Sequence, residues 1–246
     1  MTYQPFHIYG NTRPGKWLIT CDHAANTVPQ FVGGGDLGMA PEDMQRHIAY
    51  DIGASGVAQA LGEELDSPVI CANFSRLVID PNRGEADPTL LMKLYDGTII
   101  PANRHAGDAE RQKRLDACYH PYHQALSALA ARQEDTVICA VHSFTPQLRG
   151  RAPRPWQVGV LYAYDARLAH PLMDALRAEP DLTVGDNEPY KGHLPGDAID
   201  KHALHHGRLN VLIELRNDLI DTGAQQRQWA ARLASKLAAA LAATNP

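Results

Sequence analysis

The chain is short of the features that mark several common protein classes. Its 246 residues hold only four cysteines, Cys21, Cys71, Cys118 and Cys139, widely spaced and without a C-x-x-C pair. That excludes a zinc ribbon and a thioredoxin-type redox motif. Three of the four lie in apolar, strand-like runs, where cysteine behaves as a small buried hydrophobe. No apolar stretch approaches the ~18 residues of a membrane span. The opening MTYQPFHIYG lacks the apolar core of a secretion signal. These features describe a reduced, cytoplasmic protein without a membrane partner. A basic excess is missing as well: the net charge is −5 and the pI about 6.2, which argues against nucleic-acid binding. Phenylalanine is scarce at four, yet there are twelve histidines, residues suited to metal ligation and to acid–base work near neutral pH.

What is present describes a globular α/β chain. The composition is 44% hydrophobic and 21% charged with a mean hydropathy of −0.32, which excludes disorder and fibres. At ~150 residues per domain the length allows one domain or two. Short β-branched runs at Trp17–Cys21, Val69–Ala72, Val137–Val141, Val158–Tyr162 and Val211–Leu215 read as buried strands, with Leu77–Ile79 as a further edge-like piece. Helical patterns alternate with them. One begins at Pro41 and carries Ile48, Ile52, Ala60, Leu61 and Leu65, with Gly53 and Gly56 permitting a break. A second covers Asp108–Arg132 and should be divided by Pro121. The last, capped by Asp221 or Thr222, places Trp229, Leu233, Leu237 and Leu241 on one face. No linker interrupts the alternation, so residues 1–246 are expected to form a single three-layer α/β/α domain. Three long irregular segments, roughly 81–107, 143–155 and 181–198, are rich in Gly, Pro, Asp and Asn, as binding loops and lids are.

The chemistry-bearing residues cluster at strand ends, where open α/β sheets build their sites. His23 follows the first strand and His142 ends another. With a carboxylate they can supply three metal ligands and leave the fourth position to water, although each can equally well bond a loop. Asp51 lies on an otherwise apolar stripe beside Ile52, as a ligand or as an anchor for a loop amide. Glu214 sits inside the apolar run Ile213–Leu215; burial there raises its pKa toward the range of a general base. A structural ion pair with Arg216 is the bland alternative. Arg76 and Arg83 are candidate clamps for an acidic small molecule, since the guanidinium fork matches a carboxylate.

Seven ordered segments, Cys21–Pro29, His47–Ala54, Ser75–Arg83, His142–Pro146, Arg154–Leu161, Asp186–Gly192 and Ile213–Ile220, closely resemble the N-formylglutamate amidohydrolase family. The resemblance implies a fold akin to zinc-dependent exopeptidases, with a mixed, mostly parallel sheet between helices. It also implies metal-dependent hydrolysis of an N-acyl amino acid, in the name-giving reaction N-formyl-L-glutamate to formate and L-glutamate, a step of histidine catabolism. Residue by residue, it makes His23, Asp51 and His142 the ligands of a divalent metal, zinc by analogy. Asn26 is the rival third ligand. It makes Glu214 the general base and the Asn82–Arg83 pair the carboxylate-binding element, helped by Arg76, and it gives His202 a substrate contact. Two alternatives stand beside it: a hydrolase of another N-acyl amino acid or small acidic peptide on the same scaffold, and a non-catalytic dicarboxylate-binding protein. His120 and His123, flanking Pro121, are read as helix-end hydrogen-bonding groups.

Overall fold

The computed structural model describes residues 3–244 of the chain. Among the described residues there are nine strands, β1 (Phe6–Tyr9), β2 (Trp17–Cys21), β3 (Val69–Ala72), β4 (Leu94–Tyr95), β5 (Thr98–Ile99), β6 (Val137–Phe144), β7 (Val158–Leu161), β8 (Val184–Asp186) and β9 (Asn210–Arg216). Seven helices accompany them: α1 (Ala54–Glu64), α2 (Pro101–Arg104), α3 (Asp108–Arg114), α4 (His120–Ala130), α5 (Ala169–Arg177), α6 (Ala198–His202) and α7 (Gly223–Thr244). Seven strands form one sheet in the order β1-β3-β2-β6-β9-β7-β8, and β4–β5 make a separate hairpin. The sheet is mixed and mostly parallel: β1 and β7 run antiparallel to their inner neighbours β3 and β9, and the remaining pairs are parallel.

Both faces of the sheet are covered, which explains why its central strands read as unbroken apolar runs rather than alternating ones. Along β6, Cys139 and Val141 pack toward α1, α5 and α7, while Ile138 and Ala140 pack toward α4 and the residues leading into it. The expected three-layer α/β/α arrangement is therefore present. On α7, Trp229, Leu233 and Leu237 are buried on the sheet and Leu241 packs beside them. Thr222 starts this helix with a reciprocal cap: Gln225 N donates to its Oγ1 (3.3 Å) and Thr222 N donates to Gln225 Oε1 (2.9 Å).

Three local expectations are corrected. Leu77–Ile79 is not a strand; these residues are fully buried in a turn in which Val78 N donates to Ser75 O, so their apolar character reflects burial alone. The pattern from Pro41 does not continue as one helix, because α1 begins only at Ala54. Its preceding residue, Gly53, has φ +80°, and a Cβ there would run into the Ile220 carbonyl. The 108–132 pattern is divided by a π-turn at Leu115–Tyr119, just before Pro121 enters the first turn of α4, where its missing N–H costs nothing. Four strands were overlooked in the sequence: the two-residue strands β4 and β5, and the edge strands β1 and β8 of four and three residues, all too short to leave an apolar signature.

Candidate active site

β2, β6 and β9 are parallel neighbours, so their C-terminal ends deliver His23, His142 and Glu214 to one edge of the sheet. His142 and Glu214 are register partners and point to the same face, the face opposite Val141 and Ile213. Backbone bonds bring the connecting segments to this edge. Asp51 N donates to His23 O (2.9 Å), Arg76 N to Ala49 O (3.2 Å), and Ser75 Oγ also to Ala49 O (2.7 Å). The result is a cavity of about 330 Å³ lined by His23, Asp51, Arg76, Asn82, Arg83, His142 and Glu214, among others.

Inside it, one oxygen of Asp51 faces both imidazoles. Asp51 Oδ2 lies 3.3 Å from His23 Nδ1 and 2.8 Å from His142 Nδ1, and the three residues bring one donor atom each within 4.8 Å of one another. The first distance matches the ~3.3 Å between donors of a tetrahedral ion with bonds of ~2.0–2.1 Å, and the second falls about 0.5 Å short of it. His23 Nε2, the opposite ring nitrogen, is backed by Asp80 Oδ1 at 2.7 Å, whereas His142 Nε2 and Asp22 Oδ2 face one another at 3.6 Å and are both buried without a hydrogen-bond partner. A carboxylate behind a ligating histidine fixes the ring and leaves the other nitrogen free for a metal. The donor set and its backing fit a divalent cation. Asn26, the rival, turns away to donate to Met44 O (2.9 Å).

Burial pushes the Glu214 carboxyl up to about 8, Asp51 adding to the rise while His142, Arg76 and Arg154 oppose it. Its Oε2 is buried without a hydrogen-bond partner, and Arg216, the bland partner, pairs instead with Asp218 (2.8 Å). Burial would raise Asp51 too, but the two histidines outweigh it and hold its carboxyl well below the usual range. Asp80 is likewise lowered against its burial, by His23, Arg76 and Arg83.

Comparison with known proteins is decisive at this point. The profile of the N-formylglutamate amidohydrolase family matches residues 15–221. The chain belongs to the N-formylglutamate amidohydrolase family. It is thus an amidohydrolase. A crystal structure of an Agrobacterium tumefaciens gene product is similar over 98% of this chain and 96% of that one, at 34% identity and a TM-score of 0.91. The N-formylglutamate amidohydrolase from Ralstonia eutropha shares the fold at 22% identity and a TM-score of 0.66, over 95% of this chain and 98% of its own. No curated protein matches the chain.

Within this amidohydrolase the other residues expected at the site separate into two groups. Asn82 and Arg83 line the cavity; Asn82 Oδ1 accepts from Ala198 N (3.2 Å), and Arg83 donates to Thr89 Oγ1 (3.1 Å) and to Asn82 O (2.7 Å). Arg76 also lines it; its terminal nitrogens bridge Asp51 (3.3 Å) and Asp80 (3.1 Å), while its Nε is buried without a hydrogen-bond partner. His202 is absent from the cavity wall. It stacks on His123 at 5.1 Å and 18°, with His202 Nε2 2.9 Å from His123 Nδ1. Burial pushes this pair down to about 4 and about 3, so both rings are neutral at pH 7. His123, in the first turn of α4, thus both stacks on and hydrogen-bonds His202. Sequence reasoning overlooked Asp22 and Asp80 as the carboxylates behind the histidines. It also overlooked His47 at the cavity wall, whose buried Nε2 has no hydrogen-bond partner and lies 3.7 Å from Asp96 Oδ2. Two of the three carried a signal: Asp22 and Asp80 are charged residues directly adjoining apolar runs.

Proposed function

We propose that the enzyme hydrolyses the amide of N-formyl-L-glutamate to formate and L-glutamate, as one domain spanning residues 1–246 and with a divalent cation, zinc by the chemistry of the donor set. His23 Nδ1, Asp51 Oδ2 and His142 Nδ1 would hold the ion. When bound, it supplies Lewis acidity at the acyl carbonyl and a lowered pKa for water. The observation that carries the reading is Glu214, a buried, unpartnered carboxyl in register with His142 and beside those three donors. A carboxyl whose pKa has been raised toward neutrality can accept and return a proton near pH 7.

Glu214 takes the proton from the water whose oxygen attacks the formyl carbon. It gives that proton to the nitrogen as the C–N bond breaks, so the amine leaves uncharged. Arg83 and Asn82 hold a substrate carboxylate and thereby keep the amide beside Glu214. Arg76 keeps Asp51 and Asp80 ionised and oriented, a supporting task in place of the clamp expected of it. The Arg154 guanidinium lies over both the Phe144 ring (5.5 Å) and the Tyr190 ring (5.2 Å). It joins the 143–155 and 181–198 segments into a cover that limits water. Histidine catabolism, as the source of the substrate, rests on the family's name-giving reaction.

The test is a panel of N-formyl and N-acetyl amino acids, assayed before and after chelation, together with metal analysis. Formate release from N-formyl-L-glutamate, lost on chelation and restored by zinc, is the expected result. Preference for another acyl group would redirect the substrate assignment. Turnover indifferent to chelation would refute the metal, and no turnover on any member would refute the hydrolase reading for these substrates.

A further inference from the structure

The Tyr119–His123 stretch carries two tyrosines beside the histidines read from its sequence. It leaves the π-turn at Leu115–Tyr119, where His120 N donates to Leu115 O. A π-turn holds one residue more than an α-turn, so it advances the phase of α4 by about 100° against α3. Tyr119, Tyr122 and His123 then share one face, at spacings of three and four, and all three are buried.

Both phenol hydroxyls are committed to the site, although neither tyrosine lines the cavity. Tyr122 Oη donates to Asp22 Oδ1, and the other oxygen of Asp22 faces His142 Nε2 at 3.6 Å. Tyr119 Oη donates to Arg83 O (2.7 Å) and accepts from Lys201 Nζ. An ammonium has donors only, so the single Tyr119 proton is left for the Arg83 carbonyl; a carboxylate accepts only, so the Tyr122 proton goes to Asp22. Burial pushes both phenols up, and each keeps the proton it donates.

The two contacts reach different halves of the cavity. Asp22 stands behind His142, one of the three donors assigned to the cation. With His142 Nδ1 given to the cation, its ring proton is on Nε2, and Asp22 Oδ2 is the acceptor in front of it. Arg83 belongs to the half that takes the substrate carboxylate, and Tyr119 ties its backbone to the start of α4. That helix is anchored in the core by Leu126 and Leu129, so one packed element carries both hydroxyls.

We propose that Tyr119 and Tyr122 are positioning residues that set the two halves of the cavity from one helix face. Tyr122 holds Asp22 behind His142 and so favours cation binding; Tyr119 holds Arg83 and so favours binding of the substrate carboxylate. This rests on the hydrolase reading and its metal.

Tyr122→Phe and Tyr119→Phe each remove one oxygen and leave the buried ring. The measurements are zinc affinity by competition with a chromophoric chelator, kcat and KM on N-formyl-L-glutamate at saturating zinc, and Tm in chelator. Tyr122→Phe should weaken zinc binding about 10-fold, the low end for a partner behind a ligand, with KM near wild type. The loss should be smaller in an Asp22→Asn background, because it acts through that carboxylate; full additivity would overturn the Tyr122 half. Tyr119→Phe should raise KM about 3–10-fold, as for loss of one hydrogen bond, with kcat and zinc affinity near wild type. A lowered Tm without these changes, or the same loss of zinc affinity and KM in both variants, would overturn the proposal, since a purely structural role acts on both halves alike. If no substrate is hydrolysed, the hydrolase reading fails, and calorimetry of L-glutamate on the zinc-loaded protein then reads the Tyr119 half. Weaker binding in Tyr119→Phe alone supports it; equal binding in all three proteins, or none in the wild type, overturns it. A wild type that takes up no zinc overturns the Tyr122 half.

Discussion

Arg76→Met separates two roles that a buried arginine in this cavity can have. The Arg76 side chain is 11% exposed, and its two terminal nitrogens lie 3.3 Å from Asp51 and 3.1 Å from Asp80, each carboxylate 2–3% exposed. Removing one partner of a buried ion pair costs about 3–5 kcal/mol, because the other charge stays buried. His23 and His142 remain beside the same carboxylates, which places the expected loss near the lower end, about 3 kcal/mol. For a chain of this length each kcal/mol moves Tm by ~2–4 °C, so the variant should melt roughly 6–12 °C lower. The assay is thermal unfolding of both proteins in chelator at pH 7. Arg76→Lys should fall between them, since an ammonium keeps the charge but cannot bridge two carboxylates with a planar fork. The pH dependence gives a second reading. Asp51 and Asp80 are held below their unfolded values, so their stabilisation is present above about pH 4 and is lost as the pH falls below it. The gap between wild type and variant should narrow in that acid range. A Tm within about 1 °C of wild type, with a raised KM as the main effect, would refute the bridging role and restore Arg76 as a substrate clamp.

Other expectations follow from the same geometry. Glu214→Gln should lower kcat by about 10²–10⁴-fold while leaving zinc content near wild type, and the acid limb of the kcat/KM profile should disappear; turnover near wild type would remove the base role. Its folded pKa is raised to about 8, so the wild type loses stability as pH rises from about 4 to 8. That slope should flatten in Glu214→Gln when both chelated proteins are unfolded in urea. Asp80→Asn removes the carboxylate behind His23 and should weaken zinc binding about 10–100-fold, measured by competition with a chromophoric chelator. Gly53→Ala places a side chain at φ +80° against the Ile220 carbonyl and should cost more than ~1 kcal/mol, read from the urea midpoint.

Much of the molecule was legible because apolar periodicity reports burial directly. Five central strands stood out since both of their faces are covered, and α7 stood out through Trp229, Leu233 and Leu237. The edge strands β1 and β8 were not legible, being short and half in solvent. Burial also misled: Leu77–Ile79 is as apolar as any strand but is buried in a turn. At the site, residue type indicated His23, His142 and Glu214 as strand-end functional groups. Asp51 remained ambiguous until its contacts were visible.

The sequence by itself determined which chemistry the chain carries: two histidines and a glutamate at the ends of apolar runs, a carboxylate on an apolar stripe, and arginines fit for anions. Tertiary structure decided which of these groups serve one another. Asp51 meets His23 across 28 residues and His142 across 91. Arg76, by type a ligand clamp, bridges Asp51 and Asp80 through its terminal nitrogens, while His202 stacks on His123. Charge and hydrogen-bonding capacity are properties of a side chain, but whether that capacity is spent inside the protein or left for a ligand depends on neighbours a few ångströms away. Those neighbours are set by the packing of the whole sheet and its connections.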